Sequence, residues 1–376
     1  MSAMTTRAAM NVPLLDLKAQ YADIKTEFDE AVHRVLDSTR FIGGPEVSAL
    51  EEEIARYSRC AHGVACASGT DALLLSLRAL DVGPGDEVVT SAYSFFASAG
   101  VVANVGATPV FVDIDPQSYN LDAHRLEAAI TPRTKAVIAV HLYGQCCDLD
   151  AVERVCEKHQ VWLIEDAAQA IGAEWEGRRA GAVGDVGCFS FFPSKNLGAA
   201  GDAGLVVTQD ESLAERVRLL REHGAKPKYY HSIVGTNSRL DAIQAAILRL
   251  KLRHLDRWSE ARARNATMYD RLLEGARVGR PYRDPRARHI YNQYVVRVQD
   301  RDEVRRRMTE RGVGTEVYYP VPLHLQKCFA TLGHQPGDMP ESEGAARETL
   351  ALPIYPELTE EQIRYVAATL RDSLET

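Results

Sequence analysis

Positive charge is not in surplus in this sequence: Lys and Arg number 44 against 52 Asp and Glu, a formal net charge of -8. Neutralising phosphates requires a basic face, so this balance excludes a general nucleic-acid binder as the expected class. The stretch between Arg257 and Arg311 is the sharpest test of that exclusion, with Arg305, Arg306 and Arg307 adjacent. Glu260, Asp270, Glu274, Asp284, Asp300, Asp302 and Glu303 are interleaved there, which predicts a solvated, ion-paired surface. Cysteine is sparse and odd in number, seven in all. Without CxxC pairs or the density of a disulfide scaffold, the cysteines read as reduced thiols in the cytoplasm. Cys146 and Cys147 are neighbours, and small buried side chains are a better reading of them than metal ligands.

A membrane span is also missing. The longest charge-free stretch, residues 88–112, is long enough to cross a bilayer, but Ser91, Tyr93, Ser94, Ser98, Asn104, Gly106, Thr108 and Pro109 interrupt it. A buried strand, a helix and a second buried strand fit it better. Residues 1–10 carry a lone Arg7 and no apolar core, so no secretory signal is expected. No internal repeat and no low-complexity tract is visible.

What is present is an ordinary globular composition, 45% hydrophobic and 26% charged, spread over 376 residues. That length exceeds one ordinary core and predicts a large domain plus a smaller one. From about residue 63 to 207, short apolar runs alternate with helical stretches, the pattern of an α/β domain on a largely parallel sheet. Strands are expected at 88–90, 109–112, 136–140, 161–164, 188–191 and 205–208, several without polar alternation and hence covered on both faces. Helices are expected at 71–80, 121–129 and 149–159, the last capped by Asp148. A long helix over about 239–276 then leads to a strand near 293–298 and a helix at 360–370. The division falls near that long helix: residues 1–240 as N-terminal segment and large domain, 241–376 as connecting helix and small domain.

Three segments carry chemistry. Val161-Trp-Leu-Ile-Glu-Asp-Ala-Ala-Gln169 is an apolar strand ending in acid at the edge where open α/β sheets bind ligands. Asp166 there could hold a metal, cap a helix, or pair with a protonated ring nitrogen. Cys188-Phe-Ser-Phe-Phe-Pro-Ser-Lys-Asn-Leu-Gly198 is a strand that breaks at Pro193 and delivers Lys195 into a turn, where desolvation would make its amine nucleophilic. Cys66-Ala-Ser-Gly-Thr-Asp-Ala-Leu-Leu-Leu75 opens a helix with the backbone N–H groups of Gly69 and Thr70 free, an anion site to which Ser190 could add a hydroxyl. Together they supply a phosphate cradle, an acid for a pyridinium nitrogen and an amine for a Schiff base, the three contacts that pyridoxal 5'-phosphate requires. Phe95 is suited to stack on such a ring and Gln169 to donate to its phenolic oxygen.

The motifs resemble the DegT/DnrJ/EryC1/StrS family of sugar aminotransferases. The resemblance runs from Pro13-Leu-Leu-Asp-Leu17 through Gly69-Thr-Asp-Ala-Leu73, His141-Leu-Tyr-Gly144, Glu165-Asp-Ala-Ala-Gln169 and Ser190 to Lys195, and on to Tyr319-Pro-Val-Pro-Leu-His324. It implies a pyridoxal-phosphate-dependent transferase of fold type I, like aspartate aminotransferase, with a mostly parallel seven-stranded sheet and a small C-terminal α/β domain. It further implies a homodimer with shared active sites, in which Asn237 completes the phosphate site of the other chain. A branch of the family with histidine in place of Lys195 dehydrates its substrate; retention of Lys195 favours amino transfer, with the lysine also moving a proton.

The implied donor is L-glutamate, leaving as 2-oxoglutarate, and the implied acceptor is a nucleotide-linked keto sugar. The stretch 228–241 resembles the members that aminate C-3, whereas C-4 members more often carry tyrosine where Ser238 stands and threonine or serine where Asp241 stands. The expected substrate is a 3-keto nucleotide-linked sugar, such as a dTDP-linked 3-oxo-6-deoxyhexose, with a UDP-linked 3-keto uronate or a C-4 keto sugar as alternatives. Arg239, Tyr319 and His324 are candidate substrate contacts. A regulatory protein retaining the fold without turnover is the reading from another class, and intact Lys195 and Asp166 count against it.

Overall fold

The computed structural model of the chain describes residues 10–375, so all but Met10 of the segment read for a secretory signal lies outside the described residues. Seven strands form the main sheet in the spatial order His62–Cys66, Gly204–Thr208, Val186–Ser190, Trp162–Asp166, Thr134–Val140, Glu87–Ser91 and Thr108–Val112. The five from Val186–Ser190 to Thr108–Val112 run parallel, and Gly204–Thr208 is antiparallel to both of its neighbours. All six expected strands are present within a residue or two of their expected ends. The seventh, His62–Cys66, was not foreseen.

The unalternating apolar runs have the expected cause. Val88, Ala136 and Ile138 pack into one core layer while Val89, Val137 and Ala139 pack into the layer on the opposite face, so each strand is buried on both sides. Residues 88–112 form strand, helix Ala97–Asn104 and strand, and no helix among the described residues is long and apolar enough to cross a membrane. Helix Leu149–His159 starts at Asp148, whose carboxylate accepts from Ala151 N–H.

The single long helix expected over 239–276 is two helices, Ala242–Leu252 and Leu255–Leu272. Arg253 and His254 N–H bond back only three residues, to the Leu250 and Lys251 carbonyls, a tightened turn that ends the first helix. The break lets Ala245, Ala246 and Leu248 join the core layer on one face of the large sheet, while Trp258 packs with Ile24 and Leu250, and Ala266 and Tyr269 join the core around the C-terminal strand pair. Beyond it, strands Tyr294–Arg297 and Thr349–Leu352 pair antiparallel and share a core with Val304, Met308, Val366 and Leu370. The arginine-rich stretch is ion-paired as expected, for instance Arg305 with Glu316 and Arg311 with Asp372. Arg262 departs from the surface pattern: it is buried, and its guanidinium donates to the carbonyls of Tyr291, Asn292 and Ile354. All seven cysteines are free thiols, Cys146 and Cys147 buried.

Glu165 is the most demanding residue of the scaffold, being fully buried beside Asp166 at the end of its strand. Its carboxylate accepts the N–H groups of Gly181 (2.8 Å), Val183 (2.7 Å) and Gly184 (2.7 Å), with His141 Nε2 at 2.8 Å. Replacing it leaves three backbone donors without an acceptor. Glu165→Leu is therefore expected to destabilise the chain by about 3–5 kcal/mol. Equilibrium denaturation measures this, and a loss below about 1 kcal/mol would show that the turn finds other acceptors.

Candidate active site

The site lies at the carboxyl edge of the parallel strands, where open α/β sheets place ligands. Asp166 ends its strand there, buried, and its backbone carbonyl accepts His141 N–H at 3.1 Å. Its two oxygens are held separately: Ser98 Oγ donates to Oδ2 (2.8 Å) and Ala168 N–H to Oδ1 (3.2 Å). Burial pushes the Asp166 pKa up, while Ser98, Ala168 and the nearby Lys195 oppose that rise. The pocket thus disfavours a lone carboxylate and favours one facing a cation. Ser98 was not singled out from the sequence. It lies inside the charge-free stretch, and nothing local marks it as facing Asp166.

Lys195 stands in the turn that follows strand Val186–Ser190 and Pro193, with its backbone N–H bonded to the Phe192 carbonyl (2.9 Å). It is half-buried, and no acceptor among the described residues bonds its amine. Burial pulls its pKa down to about 8, with the Asp166 carboxylate acting the other way. An amine in this state is neutral in a far larger minority of molecules near physiological pH than is an ordinary lysine, and the neutral form is what a nucleophile for a carbonyl requires.

The anion cradle is built by close backbone approach. Helix Gly69–Ala79 begins after Ser68, whose hydroxyl accepts from Asp71 N–H, while the N–H groups of Gly69 and Thr70 have no acceptor among the described residues. A Cβ on Gly69 would stand 2.5 Å from the Ser190 Cβ, so the glycine is what brings the helix start against Ser190. Gly204 is required behind them, since a Cβ there would stand 2.2 Å from the Ser68 carbonyl oxygen. These groups fit a phosphate.

Above the cradle, Phe95 is 54% exposed, with its ring centroid 6.0 Å from that of Tyr319. Gln169 is fixed in orientation because its Oε1 accepts Tyr143 N–H (2.7 Å), leaving Nε2 to donate to the Tyr319 hydroxyl (3.1 Å). Tyr319 is held in turn by Tyr93, whose hydroxyl accepts Tyr319 N–H (2.8 Å) and donates to the Tyr318 carbonyl (2.5 Å). Tyr143 also donates to that carbonyl. This tyrosine clamp joins residues more than 170 positions apart and left no local signal in the sequence.

Two other candidates make no hydrogen bond to this cluster among the described residues. Asn237 is exposed and accepts from Arg239 Nε (3.0 Å), with no bond to the cradle of its own chain. His324 is buried with its Nε2 3.3 Å from Glu343 Oε1, which ties it to helix Pro340–Glu348.

A type I arrangement of this kind, with a lysine turn, a strand-end acid and a helix-start phosphate cradle on one sheet edge, defines the pyridoxal-phosphate transferase class. The DegT/DnrJ/EryC1/StrS aminotransferase family matches residues 22–371, and the chain belongs to that family. It is 51% identical over 366 residues to a pleiotropic regulatory protein of Geobacillus stearothermophilus, covering 96% of this chain and 98% of that one. It is 46% identical to a UDP-N-acetyl-3-dehydro-alpha-D-glucosamine 3-aminotransferase of Acidithiobacillus ferrooxidans, covering 96% and 98%. Among solved structures, DesV of S. venezuelae in complex with a ketimine intermediate superposes with a TM-score of 0.95 at 45% identity, covering 97% of this chain and 99% of that chain.

The lowered Lys195 pKa sets a pH dependence. Below about pH 8 the amine is increasingly protonated, so attachment of pyridoxal phosphate to cofactor-free protein should slow about tenfold per pH unit below that midpoint and level off above it. Borohydride fixation followed by peptide mapping should place the label on Lys195. A label on another lysine, or a flat profile from pH 6 to 9, would remove Lys195 from this role.

Proposed function

We propose that the chain is a pyridoxal-phosphate-dependent aminotransferase that moves the amino group of L-glutamate to the C-3 keto group of a nucleotide-linked sugar. The products are 2-oxoglutarate and a 3-amino sugar nucleotide. The observation that carries the reading is the meeting, at one sheet edge, of an unbonded Lys195 amine, buried Asp166 and the cradle of Gly69, Thr70 and Ser190.

When bound, pyridoxal phosphate supplies a ring that accepts the electron pair released as a carbon–hydrogen bond breaks. The chain does the rest. Gly69 and Thr70 N–H and the Ser190 hydroxyl hold the phosphate. Asp166, buried and held by Ser98, would keep a ring nitrogen protonated, Phe95 would stack on the ring, and Gln169, with one Nε2 hydrogen on Tyr319, would have a second to donate to the ring oxygen. Lys195 would hold the cofactor through its amine, and that amine, left without a protein acceptor, is placed to carry a proton. An intact lysine and acid have no evident use in a protein that only regulates, which favours turnover over the role named for the Geobacillus relative.

C-3 chemistry is supported by the name of the Acidithiobacillus relative and by the setting of Ser238. That residue is buried, and its hydroxyl donates to Asp71 Oδ2 (2.8 Å) in the first turn of the cradle helix. A tyrosine there would need the cradle helix and the 228–241 stretch to pack differently, so the stretch is shaped together with the site. The proposed substrate is a dTDP-linked 3-oxo-6-deoxyhexose, with Tyr319 and Arg239 as contacts and His324 as support for the pocket wall. Run in reverse with 2-oxoglutarate, the enzyme should release glutamate from 3-amino but not 4-amino nucleotide sugars, faster with dTDP-linked 6-deoxy compounds than with UDP-linked uronates. Turnover of 4-amino sugars alone would overturn the regiochemistry; preference for UDP would change only the carrier.

The same reading includes a cytoplasmic homodimer in which Asn237 of each chain reaches the phosphate of the other. Its exposure, and its distance in bonding terms from its own cradle, support this. Inactive Lys195→Ala mixed with Asn237→Ala should regain up to about a quarter of parental activity through hybrid dimers carrying one intact site. Absence of rescue in demonstrably hybrid dimers would make Asn237 a structural residue of its own chain.

A further inference from the structure

Behind the Lys195 turn stands a second lysine that the proposed chemistry does not use. Lys251, in helix Ala242–Leu252, is 6% exposed, and its Nζ donates to the Gly198 carbonyl (2.8 Å) and to Gln20 Oε1 (2.9 Å). No carboxylate among the described residues forms an ion pair with it; burial pulls its pKa down to about 8, and only Glu357, through space, acts the other way. A cation buried without a counter-ion is costly, and a methionine would fill the same volume without that cost. The hydrogen bonds say what the cation secures.

The turn is closed by two internal bonds and tied to a distant segment by a third. Lys195 N–H bonds the Phe192 carbonyl, Ala199 N–H bonds the Phe191 carbonyl (2.8 Å), and Asn196 Nδ2 bonds the Ile290 carbonyl (3.0 Å). A Cβ on Gly198 would lie 2.3 Å from the Pro193 carbonyl oxygen, so the two limbs of the turn touch there. The Gly198 carbonyl points out of this loop and is taken by Lys251. Gln20 belongs to helix Leu17–Asp23, which Asp16 caps by accepting Lys18 and Ala19 N–H (both 3.0 Å). The N-terminal Pro13-Leu-Leu-Asp-Leu17 motif is thereby linked to the cofactor turn through one ammonium group.

We propose that Lys251 is a positioning residue for Lys195, clamping the Gly198 carbonyl to Gln20 so that the turn holds one conformation while Lys195 attaches and transfers a proton. The role of Lys195 in this statement rests on the function proposed above; the clamp itself does not. Proton transfer is sensitive to displacements of about an ångström, so a loosened turn should lower the rate without weakening substrate binding.

The test compares Lys251→Met, Lys251→Arg and Gln20→Leu. In cofactor-free protein, hydrogen exchange of amides 195–201 should quicken about tenfold in Lys251→Met with the rest of the sheet unchanged. In holoenzyme, kcat for the glutamate half-reaction per bound cofactor should fall about 10- to 100-fold with glutamate KM unchanged, and Lys251→Arg should recover part of it. If Lys251→Met does not fold, Gln20→Leu should show a smaller change in the same direction. A lowered melting temperature with unchanged exchange at 195–201 and unchanged kcat per bound cofactor would overturn the proposal, as would an inert Gln20→Leu where Lys251→Met cannot be made. Faster exchange in a parent that never turns over glutamate would leave the clamp standing and remove the aminotransferase reading instead.

Discussion

The structure depends on the pairing of two neighbouring carboxylates at the end of one buried strand. Successive side chains of a strand point to opposite faces, so Glu165 and Asp166 cannot share partners. Glu165 turns to the face where the 181–184 turn and His141 surround it, and three N–H donors together with the imidazole satisfy a charge that has no access to water. Asp166 turns to the other face, where Ser98 and Ala168 donate one hydrogen bond each. One carboxylate is saturated and structural, while the other is held in place but left short of donors. A partly satisfied acid in a dry pocket draws a cation, and the fold uses the first carboxylate to keep the strand end rigid for the second.

Rigidity on the opposite wall comes from hydroxyls. Tyr93 follows strand Glu87–Ser91 and Tyr143 follows Thr134–Val140, yet both donate to the carbonyl of Tyr318, far along the chain. Gln169 spans the same gap, bonded to Tyr143 on one side and Tyr319 on the other. The segment that presents Tyr319 is thus fixed to the sheet edge that carries Asp166. A change in either tyrosine reaches the pocket through backbone position and not through lost chemistry.

Much of this was legible in the sequence, for physical reasons that can be named. Strands buried on both faces give unbroken apolar runs, so the interior of the sheet could be read, but His62–Cys66 is an edge strand whose run Val64-Ala65-Cys66 is short and mostly of small side chains, and it does not stand out. Lys195, Asp166 and Gly69 stood out because each sits directly beside a strand or helix end. Ser98, Tyr93 and Lys251 did not, since each acts on a residue at least 53 positions away and looks locally like any core-facing polar side chain. The break at Arg253 and His254 was missed because neither residue is a helix breaker; the helix is ended by a change in which face must be buried, a tertiary demand that overrides propensity.

The two lysines near the turn, one half-buried and one buried, show how similar desolvation yields different properties. Burial lowers the pKa of Lys195 and of Lys251 to about the same value, so desolvation alone does not distinguish them. Hydrogen bonding does. Lys251 donates to two oxygens, which makes it a fixed cross-link, whereas the Lys195 amine has no protein acceptor among the described residues and its nitrogen is left free to reach a carbonyl. Exchanging those settings would convert the nucleophile into a strut. The chemistry of this turn therefore follows less from the presence of lysine than from where the fold withholds a hydrogen-bond acceptor.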